Sequence, residues 1–391
     1  MTNDAIYLDH AATTPVRPEV REVMAPYYGE RWGNPSSTHR WGREARVALE
    51  EARERVAAAL GAARTEILFT SGGTESDNLA ILGRWRTGDG GVVCSAIEHR
   101  AVLDATRTAA RGGAAVQVLG VDHRGVVDLA ELDETLHERP AVVSVMWGNN
   151  EVGTIQPVAA IAERCRAAGV VCHTDAVQAF GRVAVRVDET PVDLVSVSGH
   201  KIGGPKGVGA LFLRSGVRLE PLLWGGGQER DLRPGTQNVA GAVALATAAE
   251  LAVREREDEA VRQAALRDRL QAGLAEAIAG LTINGAGAAR LPHVLNVSIP
   301  AVDQEMLLAS LDVEGIAASS GSACHSGAVE PSHVLVAMGQ AVQGAASLRF
   351  SLGRTTSEAD IDRAVGTLPR VVTRLREAAG SVAAPAAEAG A

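Results

Sequence analysis

Lysine occurs at two positions only, Lys201 and Lys206, both inside the stretch SVSGHKIGGPKG, in a chain of 391 residues with 38 lysines and arginines. Arginine can supply charge, anion contacts and solubility, but its guanidinium stays protonated and offers no amine to condense with a carbonyl. At least one of the two lysines is therefore expected to be there for its amine; the plain alternative is a compositional bias toward arginine with two chance survivors. Other polar groups follow apolar runs in the same way. After ILFT comes SGGTESDN, in which Gly72, Gly73 and Thr74 open a helix whose free N–H groups suit a phosphate, although an ordinary glycine turn uses the same residues. After VVC comes SAIEH, ending at His99, and a lone histidine near a strand end is usually structural. GNNEVGT supplies Asn150, an amide able to bond a ring or a carboxylate; VVCHT leads to Asp175 and Gln178; DLVSVS leads to Ser198, His200 and Lys201.

These groups need a scaffold that brings strand ends together. From about residue 65, short β-branched runs (ILFT, VVC, AVVSVM, VVCHT, DLVSVS) alternate with helix-period segments such as EARVALEEARERVAAALG, the signature of βαβ units in a mostly parallel sheet flanked by helices. In open α/β sheets ligands bind outside the carboxyl ends of the strands. The pattern changes near Val239, where one long helix or two abutting ones run to about Ile278 before a smaller α+β region. The expected division is a large domain over 15–256, a small domain formed by 1–14 and 257–380, and a flexible tail over 381–391.

Composition narrows the function classes. Hydrophobic residues make up 46% and aromatics 3%, so the core is aliphatic. A formal charge of −9 with interspersed signs disfavours direct nucleic-acid binding. The N-terminus MTNDAIYLDHAATTP has neither a basic nor an apolar leader region, and no membrane span is expected. The four cysteines form no metal-ligand spacing, so no metal is expected and a reduced, cytoplasmic protein is the default. No glycine-lysine pair exists for a phosphate loop of the GxxxxGK[ST] type, and GAGAAR at Gly285 fails the dinucleotide pattern. What remains is an amine, a carboxylate, an imidazole and a phosphate cradle, which is the inventory pyridoxal 5'-phosphate requires: a lysine for its aldehyde, an acid for its ring nitrogen, a helix N-terminus for its phosphate.

The motifs YLDHAATTP, SGGTESDN, NNEVGT, HTDAVQ, SGHKIGGPKG, GGGQERDLRPGTQN, SSGSACHSG and SLRFSLGR closely resemble those of cysteine desulfurases of the NifS/IscS type, in the class V aminotransferase group of fold-type I pyridoxal-phosphate enzymes, over about residues 6–365. The resemblance implies that Lys201 is the Schiff-base lysine, Asp175 the pyridinium partner and His99 the residue stacked on the ring. Gln178 would bond the phenolic oxygen; Gly73, Thr74, Ser198 and His200 would hold the phosphate. Thr236, in RPGTQN, would reach the neighbouring subunit's phosphate, which implies a homodimer. Asn150 and Arg354, in SLGR, would hold the substrate carboxylate, leaving Lys206 as a structural or surface residue.

Cys94 and Cys172 lie in apolar strand runs and Cys165 on a helical stretch, whereas Cys324 lies in ASSGSACHSGAVEP, made of small and turn-forming residues. By the resemblance, Lys201 moves the α-proton of L-cysteine, the Cys324 thiolate attacks the substrate sulfur to leave an enzyme persulfide, and alanine is released, with His99 as the acid–base group at the substrate thiol. His325 either lowers the pKa of the Cys324 thiol or is a solvated loop histidine. The sulfur would pass to an acceptor such as an iron–sulfur scaffold or a tRNA-thiolation enzyme. Competing readings are another class V enzyme, such as an aminotransferase or selenocysteine lyase, a catalytically idle scaffold, and a Cys/His hydrolase built on Cys324.

Overall fold

The computed structural model describes residues 5–88, 90–320 and 331–382, so Cys324 and His325 lie outside the described residues. The chain begins with β1 (Ile6–Tyr7), α1 (Pro18–Met24) and α2 (Arg40–Leu60). The repeating part follows: β2 (Ile67–Thr70), α3 (Gly73–Trp85), β3 (Val92–Ser95), α4 (Arg100–Arg111), β4 (Val116–Leu119), α5 (Leu129–Leu136), β5 (Val142–Ser144), α6 (Val158–Ala168), β6 (Val171–Asp175), β7 (Leu194–Ser198) and β8 (Gly209–Leu213). These seven strands form one sheet in the order β2-β8-β7-β6-β5-β3-β4. All neighbours are parallel except β8, which runs antiparallel between β2 and β7. The interior strands are buried, with only Val171 at the start of β6 partly exposed, as strands covered by helices on both faces must be. Because β3, β5, β6 and β7 are parallel, the segments after them open at one edge, which brings His99, Asn150, Asp175 and Lys201 to the same end of the sheet.

A single 39-residue helix, α7 (Val239–Ala277), leaves this layer and spans about 60 Å at 1.5 Å per residue. Its first part (Val239, Val243, Leu245, Leu251) packs into the core around the large sheet, and its last part (Leu266, Leu270, Leu274) into a second core. That second core lies between α7, α8 (Gln304–Val313), α10 (Glu358–Val382) and a three-stranded antiparallel sheet of β9 (Thr282–Ile283), β10 (Val294–Pro300) and β12 (Ala345–Ser351). The short β11 (Ile316–Ala317) pairs in parallel with β1, and α9 (His333–Ala337) packs near Ile97 and Met146. Ile6 and Leu8 thus belong to the second core while Val16 packs on the first, so the segment from His10 to Thr14 crosses from one to the other. No helix among the described residues is long and apolar enough to cross a membrane.

Candidate active site

Lys201 ends a tight turn, Gly199–Lys201, directly after β7. Its Nζ donates to the carbonyls of Ala11 at 2.5 Å and Ala12 at 2.8 Å, both on the crossing segment. Burial, reinforced by the Arg349 charge and opposed by Asp175 and Asp9, lowers the amine to about 8. It is therefore far closer to its neutral, nucleophilic form at physiological pH than an exposed lysine. Lys206 is exposed.

Asp175 closes β6 and is 6% exposed; one carboxylate oxygen accepts the Val177 N–H at 2.8 Å. Burial raises its pKa, and the nearby His99 and Lys201 pull it back, so the carboxylate depends on positive partners to stay ionised. Gln178, on the same turn, donates through Nε2 to the Ala11 carbonyl at 2.8 Å. His99 caps α4, its Nδ1 accepting the Ala101 N–H at 3.1 Å, which leaves Nε2 for other work.

The α3 N-terminus faces the same edge. Ser76 makes the first helical bond, to the Gly72 carbonyl at 3.1 Å, and the N–H groups of Gly73, Thr74 and Glu75 ahead of it have no intrahelical acceptor. Gly72 has φ +153°, and a Cβ there would meet only Ser198 Oγ at 3.8 Å, whereas a Cβ on Gly73 would collide with Val177 Cγ2 at 2.7 Å. The glycines thus leave an open concavity between the helix end and Ser198 and let the Asp175–Gln178 turn pack close beside it. His200 borders it, with Nδ1 3.1 Å from Thr13 Oγ1; burial and the two lysines lower its pKa to about 4, so it is neutral. An anion cradle, a buried acid and a depressed amine at one sheet edge fit pyridoxal phosphate: the cradle for its phosphate, Asp175 for its ring nitrogen and Lys201 for its aldehyde.

Two of the residues singled out from sequence stand apart from this set. Thr236 is exposed on a segment tied down by Arg233, whose Nε lies 3.0 Å from Glu75 Oε1. Arg354 is exposed, with Glu255 4.0 Å away. The guanidinium that meets Asn150 is Arg349, inside β12 and 5% exposed, which donates to the Asn150 carbonyl at 3.0 Å and to Asp9 at 2.7 Å. Its Nε is buried without a partner. The signal for Arg349 was present: a charge flanked by Leu348 and Phe350 inside an apolar strand must point into a polar site or be lost to burial. Sequence reading also passed over Glu98, fully buried beside His99, whose carboxylate takes Ser95 Oγ and the Met146 N–H and is raised by burial to about 8.

Comparisons with known proteins place the chain. The family described as "Aminotransferase class-V" matches residues 6–364. A curated relative, "Cysteine desulfurase IscS" of Dictyoglomus turgidum, is 44% identical over 375 residues, covering 95% of each chain. Among solved structures, a "NIFS-like protein" superposes with TM-score 0.87 at 38% identity, covering 95% of this chain and all of that one. Another, "SspA in complex with cysteine", has TM-score 0.77 at 33% identity over 89% of this chain and 98% of its own. The chain belongs to the class V aminotransferase family, a group of pyridoxal-phosphate enzymes, and within it falls among the NifS/IscS-type cysteine desulfurases.

Proposed function

We propose that the protein is a pyridoxal-phosphate-dependent cysteine desulfurase that converts L-cysteine to L-alanine and passes the sulfur to Cys324 as a persulfide. The observation that carries this reading is the Lys201 amine, lowered to about 8 and resting on the Ala11 and Ala12 carbonyls, in the electrostatic reach of Asp175 and Arg349. The names of the relatives, and the cysteine complex of the neighbour SspA, support cysteine as the substrate.

When bound, the cofactor supplies an electron sink that acidifies the substrate α-carbon. The residues do the rest. Lys201 would hold the cofactor through its amine and would serve as the base that moves the substrate α-proton. Asp175 would keep the ring nitrogen positively charged; Gln178 would bond the phenolic oxygen; Gly73, Thr74, Ser198 and the neutral His200 would hold the phosphate. Asn150 and Arg354 would orient the substrate carboxylate, a task for which a forked guanidinium is well shaped. His99, with Nδ1 occupied by the Ala101 N–H, works through Nε2 at the substrate thiol. The Cys324 thiolate forms a sulfur–sulfur bond as the substrate carbon–sulfur bond breaks, and the carbon keeps the electron pair and takes a proton.

The division into a large domain over 15–256 and a small one over 1–14 and 257–380, with a tail over 381–391, is part of the same reading, supported by two hydrophobic cores that α7 joins. So is a homodimer in which Thr236 serves the partner's site, supported by the exposure of Thr236 and of Leu223 and Trp224 nearby. The sulfur acceptor is a protein of an iron–sulfur or tRNA-thiolation pathway, and a reducing cytoplasm suits a thiol carrier.

The test is a product assay. Purified holoenzyme with L-cysteine and a reductant should release alanine and sulfide in equal amounts, and light scattering should find the active species to be a dimer. Turnover of a keto acid with no sulfide would move the protein to the aminotransferases, and a fully active monomer would remove Thr236 from the site.

A further inference from the structure

Beyond Ser144 the chain of β5 stays extended and sends alternate donors to opposite sides. The Val145 and Trp147 N–H groups go to the His173 and Asp175 carbonyls of β6, at 3.1 and 2.9 Å. The Met146 N–H between them faces the β3 side, where the two strands run in register only as far as Cys94 opposite Ser144. β3 ends at Ser95, and the Ala96 N–H is taken by the Leu119 carbonyl of β4. A buried N–H must find an acceptor, and Met146 finds the Glu98 carboxyl, at 2.8 Å. The same oxygen of Glu98 accepts the Ser95 hydroxyl. Glu98 thus supplies, from a side chain, the acceptor a neighbouring strand would have offered where β3 and β5 part.

A site residue follows on each side of this gap. His99 comes directly after Glu98 and caps α4 with its Nδ1, and Asn150 lies four residues beyond Met146. A second bond repeats the tie: the fully buried Asn149 donates through Nδ2 to the Ile97 carbonyl at 2.9 Å, and its Oδ1 accepts the Glu151 and Val152 N–H groups, both at 2.9 Å. Among the described residues the Glu98 carboxyl has no ion pair, and its Oε2 is buried without a partner. The titratable groups acting around it are Asp175 of β6, Asp77 of α3 and Cys94 of β3, none of them a cation, while His333 of α9 reaches only its main-chain carbonyl, at 2.9 Å. Burial raises the acid to about 8, so near neutral pH it offers the two segments an acceptor oxygen and not a charge.

We propose that Glu98 is a positioning residue for the desulfurase reaction: its carboxyl oxygen, by bonding Ser95 and Met146 at once, sets His99 and Asn150 at the spacing the substrate requires. The inference rests on the desulfurase reading for what those two residues do, and on the geometry for how they are held. Glu98 is fully buried and acts through them. Because Trp147 is bonded to the Asp175 carbonyl, the same run of hydrogen bonds ties both residues to the acid that meets the cofactor ring. A displacement on the order of 1 Å at such a site can cost about a hundredfold in rate.

Two substitutions separate reach from acidity. Glu98→Gln keeps the acceptor oxygen and the chain length and removes the acid. Glu98→Asp keeps the acid but is one methylene too short to bond Ser95 and Met146 together. In purified holoenzyme, Glu98→Asp should lower kcat/KM for cysteine about tenfold or more, with kcat lowered and KM raised because His99 and Asn150 both shift; Glu98→Gln should recover it to within about threefold of wild type. The circular dichroism of the bound cofactor, which reads its surroundings whatever reaction is catalysed, should change in Glu98→Asp and stay close to wild type in Glu98→Gln. A wild type that releases no alanine from cysteine would defeat the desulfurase reading, and the dichroism comparison would still decide whether Glu98 holds the site. A loss in Glu98→Gln as large as in Glu98→Asp, wild-type kinetics in both, or a lowered melting temperature in Glu98→Asp with unchanged dichroism would each overturn the proposal.

Discussion

The Arg349 guanidinium donates to the Asn150 carbonyl at 3.0 Å, while Arg354, five residues further on, is 4.0 Å from Glu255. One motif, SLRFSLGR, therefore delivers two arginines to two different places. A charge-assisted hydrogen bond is worth about 1.5–3 kcal/mol, or roughly 10–100-fold in binding. Arg354→Gln should raise KM for cysteine by at least the lower figure. Steady-state kinetics on the variant checks the assignment, and an unchanged KM would remove Arg354 from the substrate carboxylate.

Lys201→Ala should abolish cofactor attachment and activity, whereas Lys206→Ala, which alters an exposed residue, should keep both. Borohydride fixation followed by peptide mapping should find the pyridoxyl group on Lys201, and a label on Lys206 would reverse the assignment. The pH dependence follows from the depressed amine. Its neutral fraction grows as pH rises through about 8, so cofactor uptake by the apoprotein should accelerate over that range and then level off. The unfolded chain's lysine keeps its proton up to the ordinary 10.5. Between those values the unfolded state binds more protons than the folded one, and this group's contribution to stability rises with pH.

Glu229 adopts φ +41°, followed by Arg230 at +62° and Asp231 at +61°, three left-handed residues in a row without glycine. The run is held by Arg53, which grips the Glu229 carboxylate at 2.6 and 2.7 Å, and by the Phe69 N–H at 2.9 Å. Glu229→Ala would leave Arg53 buried with only the Glu50 carboxylate at 3.2 Å and the Ile67 carbonyl at 2.9 Å, a loss of about 3 kcal/mol. Chemical denaturation should register it. Because Gln237 also bonds Glu229, at 3.1 Å, the Thr236 segment should loosen too, and the dimer should dissociate at higher protein concentration than wild type. Unchanged stability would mean that the ion pair does not hold the left-handed turn.

Most of the sheet was legible because the parallel interior strands β3, β5 and β7 are short valine-rich runs, and the residues after them fall at one edge whenever such strands are parallel. VQVL and GALFL drew no notice. VQVL is an edge strand with Val116 and Val118 exposed, and GALFL enters antiparallel after a glycine-rich turn, outside the alternation of strand and helix. The site was legible where a residue's role follows from its place at a strand end, as for Lys201 and Asp175. It was not where the partner comes from far along the chain. The Ala11 and Ala12 carbonyls that receive Nζ are 190 and 189 residues from Lys201 and carry no side-chain signal.

Cys324 provides the test that separates the two chemistries of the proposed reaction. If it acts only after the substrate has been activated at Lys201, Cys324→Ser should bind the cofactor normally and still change its spectrum on mixing with cysteine. It should then stop, because a serine hydroxyl near neutral pH is a far weaker nucleophile than a thiolate. The other cysteines offer no substitute. Cys94, Cys165 and Cys172 are all buried, burial raises the Cys94 thiol to about 12, and the Cys165 contact together with burial raises Cys172 well above its ordinary value. Stopped-flow absorbance, alanine release and alkylation of trapped persulfide should therefore give wild-type label on Cys324 alone and none in the variant. Alanine release by Cys324→Ser at the wild-type rate with a physiological reductant would show that the sulfur leaves without a protein acceptor, and the desulfurase reading would give way to a more general lyase.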